Sequence, residues 1–128
     1  MNIYREEILD HFKRPRNFGS TPPEATRSKG WVKAKEVNGS CGDVMEMGLR
    51  IKAGKVEEVR FEGEGCAISM AASSMLTEMI KGKKVREVEK MTGEEMIKRL
   101  GIKISLGRKK CATLGLEVCQ KAVKKLRK

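Results

Sequence analysis

The sequence contains few aromatic residues, which limits the partners that it can recognise. One Trp, one Tyr and three Phe make up 4% of its 128 residues. Single-stranded nucleic acids are commonly bound on platforms of aromatic side chains, and neither such a platform nor a known nucleic-acid-binding motif can be recognised in the sequence. The net charge of +11 nevertheless favours acidic partners, so a basic nucleic-acid-binding domain is kept as a remote alternative.

The sequence also lacks a long apolar segment. Its longest uncharged run covers residues 65–77, which is far too short to cross a bilayer. The amino-terminal residues carry acids early and contain no apolar stretch of signal-peptide length. We therefore predict a cytoplasmic protein without membrane association. Its four cysteines are expected to be thiols or metal ligands rather than disulfides.

We predict that residues 1–128 form a single domain. Within it, an alternation of apolar and polar residues predicts a small sheet. Four apolar residues alternate with polar residues or glycine, as in a half-buried strand: Met45, Met47, Leu49 and Ile51. Residues 31–37 form a preceding strand candidate. After a turn at 53–55, Val59 and Phe61 alternate again and predict a hairpin partner.

Helical patterns lie on both sides of these strands. Residues 3–13 predict an amphipathic helix with one apolar stripe, formed by Tyr4, Ile8, Leu9 and Phe12. Residues 67–81 are rich in Ala, Ser and Met and predict a buried helix that ends before Gly82.

Two further helices are predicted in the carboxy-terminal third. Thr92 and Glu95 form a capping-box pattern for a short helix that ends at Gly101. From about Arg108 to the end, a last helix presents an apolar stripe of Ala112, Leu116, Cys119, Val123 and Leu126. Strands followed by helices predict an α+β fold in which a three-stranded antiparallel sheet carries helices on one face.

Three cysteines and one aspartate lie at the ends of these predicted elements. Cys41 and Asp43 flank Gly42, and residues two apart in extended chain project to the same side. Cys66 opens the small-residue helix, and Cys111 lies in the first turn of the last helix. Helix N-termini and nearby cations favour thiolates, which bind metals. A shared four-ligand metal site and three separately buried cysteines explain this spacing equally well, because no CxxC pair is present.

Two other candidate ligands are interpreted as structural. Cys119 lies eight residues after Cys111 on the same helix, about 12 Å along its axis, and belongs to the apolar stripe. The single histidine, His11, lies near the end of the first helix. We predict that Cys119 packs in the core and that His11 is not a ligand.

Three blocks of this sequence resemble the U-type iron–sulfur cluster scaffolds (IscU, SufU and the N-terminal domain of NifU). The first block is IYREEILDHFKRPRNFG, the second begins GSCGDVMEM and continues through GEGCAIS, and the third is KKCATLGLEVCQKAV. The resemblance places Cys41, Asp43, Cys66 and Cys111 at the family's ligand positions.

The resemblance implies a scaffold or carrier rather than an enzyme. It implies that a cysteine desulfurase delivers sulfur as persulfide, with Cys111 as the acceptor, and that iron binds at the same site. A transient [2Fe–2S] cluster is then passed to recipient apo-proteins. The resemblance leaves open whether two copies share one cluster as a homodimer.

The sequence departs from this family at two places. The IscU branch carries histidine immediately before the third cysteine, where this chain has Lys110. A protonated lysine cannot ligate, so Lys110 is expected to lower the pKa of Cys111 or to contact sulfide. Residues 104–108 lack the proline that IscU proteins offer to a DnaK-type chaperone, which makes assistance by such a chaperone doubtful.

A zinc-bound sulfur acceptor of the SufU type is the main alternative function. In that case the same four ligands, Cys41, Asp43, Cys66 and Cys111, hold Zn²⁺, and Cys111 relays persulfide.

Overall fold

The computed structural model describes residues 3–39 and 42–127. It contains five α-helices and three strands, together with single 3₁₀ turns at Arg27–Lys29, Leu106–Arg108 and Lys125–Arg127. In chain order these elements are α1 (Ile3–Lys13), β1 (Trp31–Asn38), β2 (Asp43–Lys52), β3 (Lys55–Glu64), α2 (Ala67–Ile80), α3 (Val85–Lys90), α4 (Gly93–Leu100) and α5 (Lys109–Lys124). Within the described ranges, no helix is both long enough and apolar enough to cross a membrane.

The three strands form one antiparallel sheet, as predicted, and their order is β1-β2-β3. Trp31 pairs with Arg50 and Asn38 with Asp43, so the end of β1 lies opposite the first residue of β2. A tight turn joins β2 to β3, where Lys52 pairs with Lys55. This meander places Asp43, the first residue of the central strand, at the end of the sheet where β3 ends and α2 begins.

The helices cover one face of the sheet, which confirms the predicted α+β architecture. Helix α5 lies across β1 and β2, and α2 lies against β3. The buried apolar sheet residues on this inner face include Val32, Ala34, Met45, Met47, Leu49, Val59 and Phe61. On the opposite face, Trp31 and Thr21 close over Gly48, and this contact leaves no room for a larger residue there.

Helix α1 presents a different face to the core from the one predicted. Ile8 is buried, but Leu9 and Phe12 are 46% and 42% exposed, so the proposed stripe is wrong. His11 is buried instead, because its Nδ1 lies 2.7 Å from Oγ of Ser74 in α2. The hydrogen bond to Ser74 offsets the cost of burying the polar imidazole of His11, so the face of α1 that carries His11 packs against α2.

Two details at the carboxy-terminal end also differ from the prediction. Helix α3 was not predicted. The Gln120 amide donates hydrogen bonds to the carbonyl oxygens of Val88 and Glu89 in α3 and of Met91 just after it, the last at 2.8 Å. Val88 is buried in the core. The predicted N-cap of α4 is confirmed, because the Glu95 N–H donates to Oγ1 of Thr92, which is one of the two bonds of a capping box. The α5 stripe ends before Leu126, which is 39% exposed beyond the end of the helix.

Helix α5 approaches both α2 and β2 very closely. A Cβ atom placed on Gly115 would lie 2.6 Å from Oγ of Ser73 and 3.0 Å from Cε of Met47. Distances this short exclude any side chain larger than a hydrogen atom unless the neighbours move. Because Gly115 lies one turn after Cys111, this contact sets the position of the first turn of α5.

We expect His11 to make the stability of the protein pH-dependent. Its pKa lies below the ordinary value of 6.5, first because burial disfavours the charged ring and second because Arg16 repels it. The carboxylates of Glu7 and Asp10 act in the opposite direction, and Arg99 adds weak repulsion. The unfolded chain therefore takes up a proton more readily than the folded one. The free energy of unfolding should fall as the pH is lowered through 6.5 toward the folded-state pKa.

Urea unfolding of the parent and of His11→Gln, measured from about pH 8 to pH 5, tests this expectation. The chain has no other histidine, so the difference between the two pH profiles isolates this ring. Parallel profiles would show that His11 does not contribute to the pH dependence.

Candidate metal centre

The loop between β1 and β2 turns at Gly42 and delivers Asp43 to the interior. Gly42 has φ +71°, a left-handed conformation that glycine adopts easily. Asp43 begins β2, alternates onto the same face as Met45, and is 1% exposed. Cys41, the first predicted ligand, lies outside the described residues.

Cys66 is the N-cap of α2 and contacts Asp43 directly. Its backbone N–H donates to Oδ1 of Asp43 across 3.2 Å. Its Sγ accepts the backbone N–H of Ser69, at 3.5 Å, as an N-cap side chain does. The sulfur therefore lies at the positive end of the α2 dipole and remains partly exposed.

Cys111 completes a cluster of three candidate ligands. It lies in the first turn of α5 and is 1% exposed. Its Sγ, the Sγ of Cys66 and a carboxylate oxygen of Asp43 all lie within 4.8 Å of one another. The fold thus brings together residues from three elements, and Cys66 and Cys111 form no disulfide.

The donor set and spacing of this cluster suit a tetrahedral metal ion. Ligand atoms about 2.0 to 2.3 Å from a shared tetrahedral metal lie roughly 3.3 to 3.8 Å apart, so small side-chain rotations would bring the three ligand atoms to that spacing. Thiolate sulfur favours zinc and iron–sulfur centres, and the carboxylate adds one harder ligand. Asp43, Cys66 and Cys111 could therefore hold three corners of such a site.

Lys110 lies beside the cluster on the exposed side of α5. Its side chain lines a surface pocket between β1 and α5, together with Glu36, Asn38, Gly39 and Glu117. This position is compatible with a cation that approaches a bound anionic group from solvent. Its predicted influence on Cys111 stays a prediction.

Cys119 lies apart from the cluster, as predicted. It is fully buried, and its thiol lies 3.0 Å from Sδ of Met47 in the core between α5 and β2. Burial raises the pKa of the Cys119 thiol far above its usual range, which opposes formation of the thiolate that a metal requires. His11 is engaged with Ser74 and is not part of the cluster.

Ser69, a buried polar residue next to the cluster, was not among the predicted site residues. Its Oγ has no hydrogen-bond partner among the residues that the structure describes. A Cβ atom on Gly65 would lie 2.9 Å from Oδ1 of Asp43 and 3.0 Å from Oγ of Ser69, so both oxygens border the same small space. The spacing of three residues from Cys66 places Ser69 on the same face of α2, and this signal was visible in the sequence.

Comparison with known proteins gives a match over nearly the whole chain. The model of the NifU-like N-terminal domain family matches residues 3–128. The iron–sulfur cluster assembly scaffold protein IscU of Aquifex aeolicus is 37% identical over 125 residues, which cover 94% of this chain and 74% of that protein. The zinc-dependent sulfurtransferase SufU of Bacillus subtilis is 34% identical over 140 aligned residues, covering 96% of this chain and 90% of that protein.

Solved structures show the same fold. The N-terminal NifU-like protein of Brucella abortus superposes with a TM-score of 0.76, covers 98% of this chain and 94% of its own, and is 17% identical. A protein of Fervidobacterium islandicum AW-1, assigned as an iron–sulfur scaffold of the SUF system, has a TM-score of 0.71 and is 28% identical. The alignment covers 92% of this chain and 94% of that one.

We expect Gly65→Ala to weaken metal binding, because the added methyl group would push against Asp43 and Ser69. The Zn²⁺ affinity should fall by about 10-fold or more, as when a metal ligand loses its orientation. The metal-free protein should lose about 1 to 3 kcal/mol of stability from overpacking. Competition with a chromophoric chelator and urea unfolding measure the two effects.

Gly107→Ala is the matched control. A Cβ atom at Gly107 would meet no described atom within 4 Å, and it lies in the 3₁₀ turn before α5. This variant should bind Zn²⁺ like the parent. Equal affinities of the parent and Gly65→Ala would show that the space above Gly65 is not needed by the site.

Proposed function

The chain belongs to the NifU-like N-terminal domain family, and we propose that it is a scaffold on which iron–sulfur clusters are assembled and from which they are transferred. The observation that carries this proposal is the convergence of Asp43, Cys66 and Cys111 within 4.8 Å. Cys41 is proposed as the fourth ligand from its place in the sequence block around Gly42. The scaffold proteins among the relatives support this assignment by name.

The proposed function requires that a thiolate of this site receives sulfur. In the proposed step, the Cys111 thiolate attacks the outer sulfur of a persulfide on a cysteine desulfurase. A new S–S bond forms on Cys111 while the S–S bond of the donor breaks, and the donor cysteine leaves as a thiolate. Iron bound by the same ligands can then combine with this sulfur as substrate, after two electrons from an external reductant convert it to sulfide.

Asp43 is proposed to be the corner from which the cluster leaves. Its oxygen is a harder ligand than sulfur and a weaker partner for cluster iron. The carboxylate is nevertheless held in place, because the Cys66 N–H donates to Oδ1. A carboxylate that is ordered but binds iron weakly would allow a [2Fe–2S] cluster to be assembled on the site and then transferred to a recipient apo-protein.

The proposed partners are a cysteine desulfurase and recipient apo-proteins. The segment that leads into α5 is strongly basic and exposed around Arg108, Lys109 and Lys110, beside the cluster. Positive charge at this place favours docking of acidic surfaces and the approach of anionic sulfur species.

A zinc-dependent sulfur acceptor is the second candidate function. One observation favours it specifically: the Bacillus subtilis relative is named a zinc-dependent sulfurtransferase and aligns over 96% of this chain. The donor set fits Zn²⁺ as well as iron, and Cys111 would accept the persulfide in the same way. Anaerobic purification with metal and sulfide analysis separates the two candidates, because Zn²⁺ is colourless and iron–sulfur clusters absorb visible light.

We predict that Cys41, Cys66 and Cys111 are each required to retain a metal or cluster, and that Cys119 is not. Each cysteine is replaced by alanine, and the four variants are reconstituted anaerobically with iron and sulfide. The first three should lose visible absorbance. Cys119→Ala should retain it, because its sulfur lies in the apolar core. Parent-like retention in any of the first three variants would remove that cysteine from the ligand set.

We predict that Asp43→Ala holds its cluster longer than the parent in air and transfers it more slowly to an apo-ferredoxin. The physical reason is the loss of the hard, exchangeable corner. Cluster absorbance after exposure to oxygen, followed by timed transfer, measures both effects. Asp10→Ala removes the only other aspartate of the chain, on the surface of α1, and is the matched control. Faster loss of the cluster from Asp43→Ala would show that Asp43 stabilises it instead.

A further inference from the structure

Helix α2 buries two serine hydroxyl groups that have no partner among the described residues. They belong to Ser69 and Ser73, which are 0% and 1% exposed. A buried hydroxyl without a hydrogen bond reduces stability, so most such groups in proteins are paired. The two serines differ in what surrounds them. Ser73 lies against Gly115 and Met47 in the interface with α5 and β2, whereas Ser69 lies one turn nearer the metal centre.

Two contacts connect Ser69 to the ligand cluster. Its backbone N–H donates to Sγ of Cys66. A Cβ atom placed on Gly65 would lie 2.9 Å from Oδ1 of Asp43 and 3.0 Å from the Ser69 hydroxyl oxygen, so the two oxygens flank the same small gap. The hydroxyl is therefore a donor without an acceptor, and a carboxylate that can accept several hydrogen bonds lies on the other side of a small gap.

We propose that Ser69 is a positioning residue for Asp43, and that its hydroxyl donates a hydrogen bond to the Asp43 carboxylate when that carboxylate binds metal. This inference rests on the proposed function of the site. A carboxylate that ligates through one oxygen is oriented by hydrogen bonds to its remaining lone pairs, and such outer contacts strengthen metal binding. The Cys66 N–H supplies one of these bonds, and a rotation of the Ser69 side chain supplies the second.

The proposal explains why a hydroxyl is present at this buried position. In the metal-free protein, alanine would serve at least as well, because it removes an unpaired polar atom and leaves the helix unchanged. The unpaired hydroxyl of Ser69 is unfavourable for folding and lies next to the candidate ligands. We therefore infer that this hydroxyl contributes to metal binding. Stability and metal affinity are therefore expected to change in opposite directions when Ser69 is replaced.

The test compares Ser69→Ala with Ser73→Ala, two identical changes one turn apart in the same helix. Zn²⁺ affinity is measured by competition with a chromophoric chelator, and the stability of the metal-free proteins by thermal unfolding. Ser69→Ala should bind Zn²⁺ about 10- to 100-fold more weakly than the parent, the usual range for a lost outer contact. Its melting temperature without metal should be equal to or above that of the parent. Ser73→Ala should bind Zn²⁺ within about 2-fold of the parent, below that range.

A double variant separates action through the carboxylate from action on the thiolate. In the Asp43→Ala background, the Zn²⁺ affinity should no longer respond to Ser69→Ala, because the proposed acceptor is absent. Co²⁺ loaded into the parent and Ser69→Ala gives a second readout, since its visible absorption changes with the geometry at the carboxylate corner.

Four results would overturn the inference. Unchanged affinity of Ser69→Ala, or an equal loss in the Asp43→Ala background, would show that Ser69 does not act through the carboxylate. A lower affinity accompanied by a clearly lower melting temperature of the metal-free protein would indicate a structural role. If the parent binds neither Zn²⁺ nor iron, the proposed function itself fails, and the inference fails with it.

Discussion

The close approach of α5 to α2 and β2 at Gly115 is the contact on which the metal centre depends. With Oγ of Ser73 only 2.6 Å from the position of a Cβ atom, the two helices pack with almost no side chain between them. Cys111 lies one turn before Gly115, and Cys66 lies two turns before Ser73. Close packing at this level therefore brings the amino-terminal ends of both helices over Asp43. A larger residue at the contact would separate the ligands as well as the helices.

The electrostatic environment of the site follows from this convergence. The two thiols lie at helix N-termini, where the dipole favours negative charge, and a basic segment precedes Cys111. Asp43 receives the Cys66 N–H, so one contact both caps the helix and orients a candidate ligand. The site places negatively charged ligand groups close together inside the protein. The positive N-terminal ends of two helices and a basic segment lie next to these groups. Such an arrangement favours a cationic metal with anionic sulfur over an empty cluster of thiolates.

Much of the fold and most of the candidate site could be predicted from local sequence patterns. The alternation of apolar and polar residues in β2, the N-cap at Thr92 and the end of α4 at Gly101 all depend on neighbours within a few residues. The ligand candidates were recognisable because Asp43, Cys66 and Cys111 lie at element ends. Whether they shared one site remained open from the spacing alone. The distances that bring them together were decided by the packing of α5.

What the sequence by itself determined is therefore the set of elements, their polarity and the chemical types of the ligands. Only the tertiary structure decided which face of α1 is buried, because the hydrogen-bond partner of His11 is Ser74, which lies 63 residues later in the sequence. It likewise decided that α3 forms, held by Gln120, and that the hydroxyl of Ser69 borders Asp43. The physical reason is that burial of a polar group is favourable only when a partner is present. The hydrophobic periodicity of a helix or strand indicates which of its faces is buried. It does not indicate which hydrogen-bond partners another helix or strand supplies.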